Sequence, residues 1–192
     1  MSLPRVTPMP LAHLQAPFDL PGWLFEPKLD GFRALAYVEN GACSLVSRNH
    51  NAFKTLPELA QAVGQELAGR SAILDGEIVR PGKDGHPLFY ELMRRRGPFC
   101  FYAFDLLWLD GVDLRALPLS ERKTRLRKLL PRKPRALIYV QHATTGTDLF
   151  QGRSRGGHGG HCGEAGGRQL HARRYDLGQN QEPALLPGSR SA

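Results

Sequence analysis

Apolar and polar positions fall into short blocks along residues 1–150, and each block has its own period. Residues 33–38 are mostly apolar and end at Glu39-Asn40-Gly41, a turn signal, so that 42–47 read as the returning strand of a hairpin. Leu59, Val63 and Leu67 recur every four residues, which predicts a helix over 56–68 with one buried stripe. Thr55 with Glu58 three residues on has the spacing of a capping box, and Gly69 marks the helix end. Residues 72–79 (AILDGEIV) predict a strand whose middle carries Asp75, Gly76 and Glu77. Residues 88–95 predict a short helix with Phe89, Leu92 and Met93 turned inward. The most hydrophobic run, 99–107 (FCFYAFDLL), has the length and aromatic content of a buried strand and ends at Leu109-Asp110-Gly111. Ser120 is placed to cap a helix over 121–130 with Leu126, Leu129 and Leu130 on one face; Pro131 and Pro134 stop it, and 136–141 predict a last strand. The proline-rich residues 1–22 read as an irregular lead-in. Hairpins with helices interspersed irregularly predict an α+β fold with antiparallel sheets flanked by helices.

Composition divides the chain in two. Nearly half of the 21 glycines lie in 152–192, where Tyr175 is the one aromatic residue. Residues 1–150 are expected to form a globular domain. Residues 151–192 are expected to be a disordered tail, too poor in apolar surface to offset the entropy of ordering. In a chain of 192 residues no run approaches the ~20 apolar residues of a spanning helix, so no membrane partner is expected. Three scattered cysteines are not a disulfide framework, and no secretory leader pattern is present. A reducing, cytoplasmic setting and a monomer are the expectation. The net charge of +8 permits an acidic partner such as nucleic acid.

The chemistry-bearing string is Phe25-Glu26-Pro27-Lys28-Leu29-Asp30-Gly31-Phe32-Arg33. A lysine is a poor nucleophile while protonated; partial burial and nearby positive charge, from Arg33 or a metal, favour the free amine. Asp30-Gly31 permits a tight turn that brings backbone close to a phosphate. A surface Lys–Asp pair in an ordinary turn has the same local sequence. Two basic features stand apart from it. Arg94-Arg95-Arg96, and 121–135 with eight Lys/Arg against one Glu, are suited either to DNA phosphates or to plain solvation.

The string resembles the KxDGxR motif of the covalent nucleotidyltransferases: ATP-dependent DNA ligases, RNA ligases and mRNA capping enzymes. Ser47-Arg48-Asn49 resembles their second motif, Asp75-Gly76-Glu77 the third, and 101–105 (FYAFD) the aromatic strand that supplies an adenine-stacking ring. The resemblance runs nearly continuously over 23–130 and is nearest to bacterial ATP-dependent DNA ligases of the end-joining type. It implies a ligase/capping-enzyme nucleotidyltransferase (ATP-grasp-like) adenylation domain, here incomplete. It implies Lys28 as the nucleophile adenylated by ATP, and Glu26 as an adenine contact. Arg33 and Arg48 would contact ribose and phosphates, and Glu77 the ribose hydroxyls and Mg²⁺. Phe104 would be the stacking ring, with Tyr102 as the same-face alternative. AMP would pass to the 5′-phosphate of nicked or broken double-stranded DNA, which is then sealed. An RNA ligase or capping-type enzyme is the alternative within the class; a non-enzymatic nucleotide-binding remnant is the alternative outside it.

Two further motifs of that family, EGIVAKR and a later W-V/L-K-x-K, are missing from the chain as written, and no room is expected for the family's OB-fold domain. Read one base later, the permitted codons of 158–165 (HGGHCGEA) spell MEGIVAKR, and those of 177–182 (LGQNQE) spell WVKIKN. The tail is therefore expected to be out of frame from about 151–153, and the chain to be impaired or inactive. His158, His161 and Cys162, which imitate a metal cluster, are discounted on the same ground.

Overall fold

The computed structural model describes residues 3–9, 12–14, 18–82, 87–150 and 170–174. Its elements run β1 (Ala12–Leu14), β2 (Trp23–Pro27), β3 (Phe32–Glu39), β4 (Ala42–Ser47), α1 (Pro57–Glu66), β5 (Ala72–Val79) and α2 (Phe89–Met93). They continue with β6 (Cys100–Leu109), β7 (Val112–Asp113), α3 (Leu119–Leu129), β8 (Leu137–Tyr139), α4 (Gly146–Phe150) and β9 (Leu170–Arg174).

Six strands form the larger sheet, in the order β4-β3-β5-β6-β7, with β8 also paired to β6. The β3–β4 hairpin turns at Asn40-Gly41, both at positive φ (51° and 79°), and β6–β7 turns at Asp110-Gly111 in the same way (46° and 90°). These are the primed turns whose twist suits a two-residue hairpin. The larger sheet is antiparallel except where β8 runs parallel to β6, Phe101 opposite Leu137 and Ala103 opposite Tyr139. It is thus mixed, which the expected all-antiparallel arrangement did not include. The reason is topological: α3 carries the chain back along β6, and a crossover of that length permits a parallel return.

One face of this sheet is covered by α1 and α3. Ala34, Ala36, Leu74, Ile78, Phe101, Ala103 and Leu106 pack there against Leu59, Val63, Leu67 and Leu126. A smaller cluster of Val6, Leu35, Ile73 and Leu107 lies apart from it. β6 has partners on both sides and is no exposed edge, despite the missing downstream motifs.

The second sheet has the order β1-β9-β2, all antiparallel. Residues 1–22 are therefore not wholly irregular, since 12–14 form β1. Likewise 170–174 form a strand inside the segment expected to be disordered; the rest of 151–192, with both shifted motifs and His158, His161 and Cys162, lies outside the described residues. β9 pairs with β2 from Leu170–Pro27 to Arg174–Trp23.

Two expected caps are absent. Helix α1 has Leu56 at its N-cap and Pro57 within its first turn, not Thr55, and no side chain caps it. A proline at the first helical position fixes the start one residue later than the capping box would. Helix α3 begins after Pro118, so Ser120 lies inside it. In α2 only Leu92 is buried; Phe89 and Met93 are 39% and 55% exposed, against the expected inward face. Five residues are too few for one stripe to bury three side chains.

Candidate active site

The chain crosses from the small sheet to the large one within four residues. β2 ends at Pro27, β3 starts at Phe32, and Lys28-Leu29-Asp30-Gly31 is the link. Gly31 is needed for close approach rather than for an unusual φ: a Cβ there would run into the carbonyl oxygen of Ile78 and lie 2.9 Å from Cγ of Glu77. The link is thereby pressed onto β5. Gly76 serves β5 in the same way, because a Cβ on it would come within 2.5 Å of the Phe101 ring and the Tyr102 carbonyl oxygen.

Register then gathers the charges. Arg33 of β3 stands opposite Glu77 of β5, and Leu35 opposite Asp75. The Arg33 guanidinium donates to Asp75 through Nε (3.1 Å) and Nη2 (2.7 Å), and Nη2 also donates to the Met9 carbonyl at 2.6 Å. Asp75 is fully buried. Lys28 Nζ is paired with Asp30, its side chain 24% exposed. Glu77 is half-buried, and burial pushes its carboxyl up to about 7. The positive charges of Arg33 and Lys28 oppose that rise, while Asp75 and Asp30 add to it. Lys28, Asp30, Arg33, Asp75 and Glu77 thus act on one another as one cluster.

The aromatic strand does not alternate as expected. The β5–β6 register shifts between Asp75 and Gly76: Asp75 pairs with Asp105 and Gly76 with Ala103, so Phe104 has no partner opposite. An extra residue of this kind re-aims a side chain. Phe104 is 5% exposed, and the Arg33 guanidinium lies 5.4 Å from its ring centroid. Tyr102, half-buried, stands opposite Glu77.

Glu26, on β2, is buried and pairs with Lys123 of α3; the same ammonium donates to the Phe104 carbonyl at 2.9 Å. Arg48 is exposed in the turn after β4, one position past the Ala34–Ser47 pair and so at the Arg33 end of the β3–β4 ladder. Arg94, Arg95 and Arg96 are exposed after α2. Of the basic stretch 121–135, Arg122 and Lys123 are buried in ion pairs and are not open to a polyanion. A cavity of about 580 Å³ bordered by Leu24, Lys123, Arg127 and Tyr139 shares Lys123 with these residues, but none of Lys28, Arg33, Glu77 or Phe104.

Asp75, Asp105, Arg122 and Lys123 carry structural roles that the sequence reading did not assign. A signal for the last two was present. Leu119, Leu126 and Leu130 define a helical stripe, and positions 122 and 123 fall on it.

The sequence matches the ATP dependent DNA ligase domain family over residues 14–151. The chain belongs to this family. It is 38% identical over 136 residues to the multifunctional non-homologous end joining protein LigD of Pseudomonas aeruginosa, covering 65% of this chain and 16% of that protein. It is 37% identical over 149 residues to a DNA ligase of Natronomonas pharaonis, covering 70% of this chain and 27% of that one. The chain thus spans only a part of each. Its fold is similar to that of mycobacterial DNA ligase D complexed with ATP and MES, with a TM-score of 0.73 at 26% identity over 90% of this chain and 55% of that chain. It is also similar in fold to Chlorella virus DNA ligase-adenylate, with a TM-score of 0.51 at 20% identity over 76% of this chain and 54% of the other. The two-sheet frame around the Lys28–Gly31 link is therefore a ligase nucleotidyltransferase frame. Among the described residues no helix is long and apolar enough to cross a membrane.

Proposed function

We propose that this chain carries the nucleotide-binding core of an ATP-dependent DNA ligase and that Lys28 is its nucleophile. The observation that carries this is the cluster of Lys28, Arg33, Asp75 and Glu77 at the junction of the two sheets, with Phe104 packed beneath Arg33. In the first step, Nζ of Lys28 attacks the α-phosphorus of ATP. A P–N bond forms and the bond to pyrophosphate breaks; the nitrogen gives one proton to solvent before the attack and a second as the P–N bond forms. The amine must first leave Asp30, with which it is paired in the nucleotide-free chain. Asp75 keeps Arg33 in place at the cleft. AMP then passes to the 5′-phosphate of a DNA nick, and the 3′-hydroxyl displaces it.

Mg²⁺ fits this site only as a nucleotide-borne ion. Among the described residues no group of three or more side chains could cage a metal. Asp30 and Asp75 are already committed to Lys28 and Arg33, leaving Glu77 as the protein's carboxylate for an ion otherwise held by phosphate oxygens. When bound, it would offset charge on those oxygens. Protonation of Glu77 near neutrality opposes that role until the ion is present.

The second part of the proposal is that the chain as written binds ATP but does not seal nicks. Residues 151–192 contain neither EGIVAKR nor W-V/L-K-x-K in frame, while the permitted codons of 158–165 and 177–182 allow both one base later. Losing one charged contact to a developing transition state commonly costs a factor of ~10²–10³. The test is transfer of label from ATP with Mg²⁺ to three proteins: the chain as written, the frame-restored chain, and its Lys28→Ala variant. Label on the restored chain but not on Lys28→Ala supports the assignment; equal labelling of both overturns it. Nick sealing by the chain as written, above its own Lys28→Ala control, overturns the second part. Transfer from GTP in place of ATP would favour a capping-type enzyme.

A further inference from the structure

Lys123 has no part in the proposed reaction, yet its ammonium joins the two walls of the proposed cleft. It is 1% exposed. Its Nζ is paired with the Glu26 carboxylate of the small sheet and donates to the backbone carbonyl of Phe104 in the large sheet at 2.9 Å. It also lies 5.5 Å from the centroid of the Tyr139 ring. Glu26 and Phe104 are the two residues that the family resemblance leads one to expect against the base of the nucleotide, and the proposed site is taken to include them. One buried cation therefore touches both.

We infer that Lys123 is a positioning residue that sets purine selectivity, by holding the Glu26 carboxylate aimed at the base. This rests on the proposed nucleotide site and deepens it. An ionised carboxylate is acceptor-only, whereas a protonated one also donates. With Lys123 in place, Glu26 accepts from a 6-amino purine and repels a 6-oxo purine, whose edge at that position is itself an acceptor. Without Lys123, the Glu26 carboxylate loses the contact that aims it, and its preference for the 6-amino edge falls. The Phe104 contact has a second effect, because the same ammonium fixes the backbone under the stacking ring. Loss of Lys123 therefore relaxes selectivity more than it weakens nucleotide binding as such.

The test is equilibrium binding of ATP and of inosine triphosphate to the purified full chain. The two ligands differ in the group at purine position 6 and the N1 proton that goes with it. A charge-assisted hydrogen bond of this kind corresponds to a preference of about tenfold to a hundredfold. The wild type is expected to prefer ATP by at least tenfold. Lys123→Arg, which keeps the charge, should retain that preference, and Lys123→Met should reduce it to within about threefold while still binding. Arg125→Ala, at an exposed position of the same helix, should leave the ratio unmoved. An unchanged ratio in Lys123→Met overturns the inference and leaves the nucleotide site standing. A wild type that binds neither nucleotide overturns the site and this inference together. Lys123→Gln carries the same expectation as Lys123→Met should the latter not fold; if neither folds, Lys123 is a structural residue and the inference falls.

Discussion

Arg33 lies over Phe104 while both Nε and Nη2 of its guanidinium are given to Asp75. An arginine so engaged is a wall of the cleft before it is a phosphate ligand. A lysine cannot reproduce the two-pronged contact and the flat stacking at once. Arg33→Lys is expected to lower the urea midpoint clearly. Asp75→Asn, which leaves the guanidinium without its counter-charge, is expected to cost roughly 3 kcal/mol. Both are read by urea unfolding; a wild-type midpoint in Asp75→Asn would mean that the pair is not holding the wall.

Arg122 and Asp105 form a second buried pair, with no exposed side-chain surface on either partner. Two parallel contacts of 2.8 and 2.9 Å join them, and Arg122 also donates to the Leu117 carbonyl. Removing one partner strands the other. Asp105→Ala is expected to destabilise by about 3–5 kcal/mol, whereas the double change Asp105→Leu/Arg122→Met should recover much of that loss. A double variant no better than the single one would show that the pair does more than cancel its own desolvation.

Gly31→Ala should separate the Lys28 link from β5, because the new methyl has nowhere to go but into the Ile78 carbonyl. Overpacking of this type costs about 1–3 kcal/mol. The larger effect expected is on Lys28, whose labelling by ATP in the frame-restored chain should fall far more than the stability does. Equal losses in both would mean that the link does not position the nucleophile.

Glu77 gives a pH signature. Its carboxyl is raised in the folded chain to about 7 from an ordinary 4.5. The unfolded state therefore loses this proton first as pH rises. The stabilisation due to neutral Glu77 is complete below about 4.5 and is gone once pH passes about 7. In the absence of nucleotide and divalent cation, Glu77→Gln should be more stable than wild type at pH 8, by on the order of 1–3 kcal/mol. That advantage should vanish near pH 4. Denaturant titrations at the two pH values decide it, and an advantage that does not change with pH would refute the shift.

The strands were the legible part of this fold. Residues 42–47 and 72–79 form β4 and β5 with the predicted bounds, because each is a short apolar run closed by glycine or polar residues. The motif residues were legible too, and register brings Lys28, Arg33 and Glu77 into one cluster. What could not be read is what depends on a partner distant in sequence. Lys123 falls on the buried stripe of its helix, but its contacts to Glu26 and the Phe104 carbonyl cannot be read until β2 and β6 are placed beside it. Phe104 and Tyr102 look like same-face alternates until the shift opposite Gly76 separates them. The exposure of Phe89 has the same origin, since a five-residue helix is aimed by its neighbours and not by its own period.

The crossing between sheets has a mechanical consequence. Lys28 belongs to neither sheet but to the short strap between them, and Lys123 has contacts on both sides. Any sliding of the small sheet against the large one is therefore transmitted to the nucleophile through two or three bonds, with Lys123 as the stop that limits the travel. Substitutions far out on β2 or β9 should thus behave as adjustments of reach, altering how near Lys28 comes to a phosphorus atom without changing any group that takes part in the chemistry.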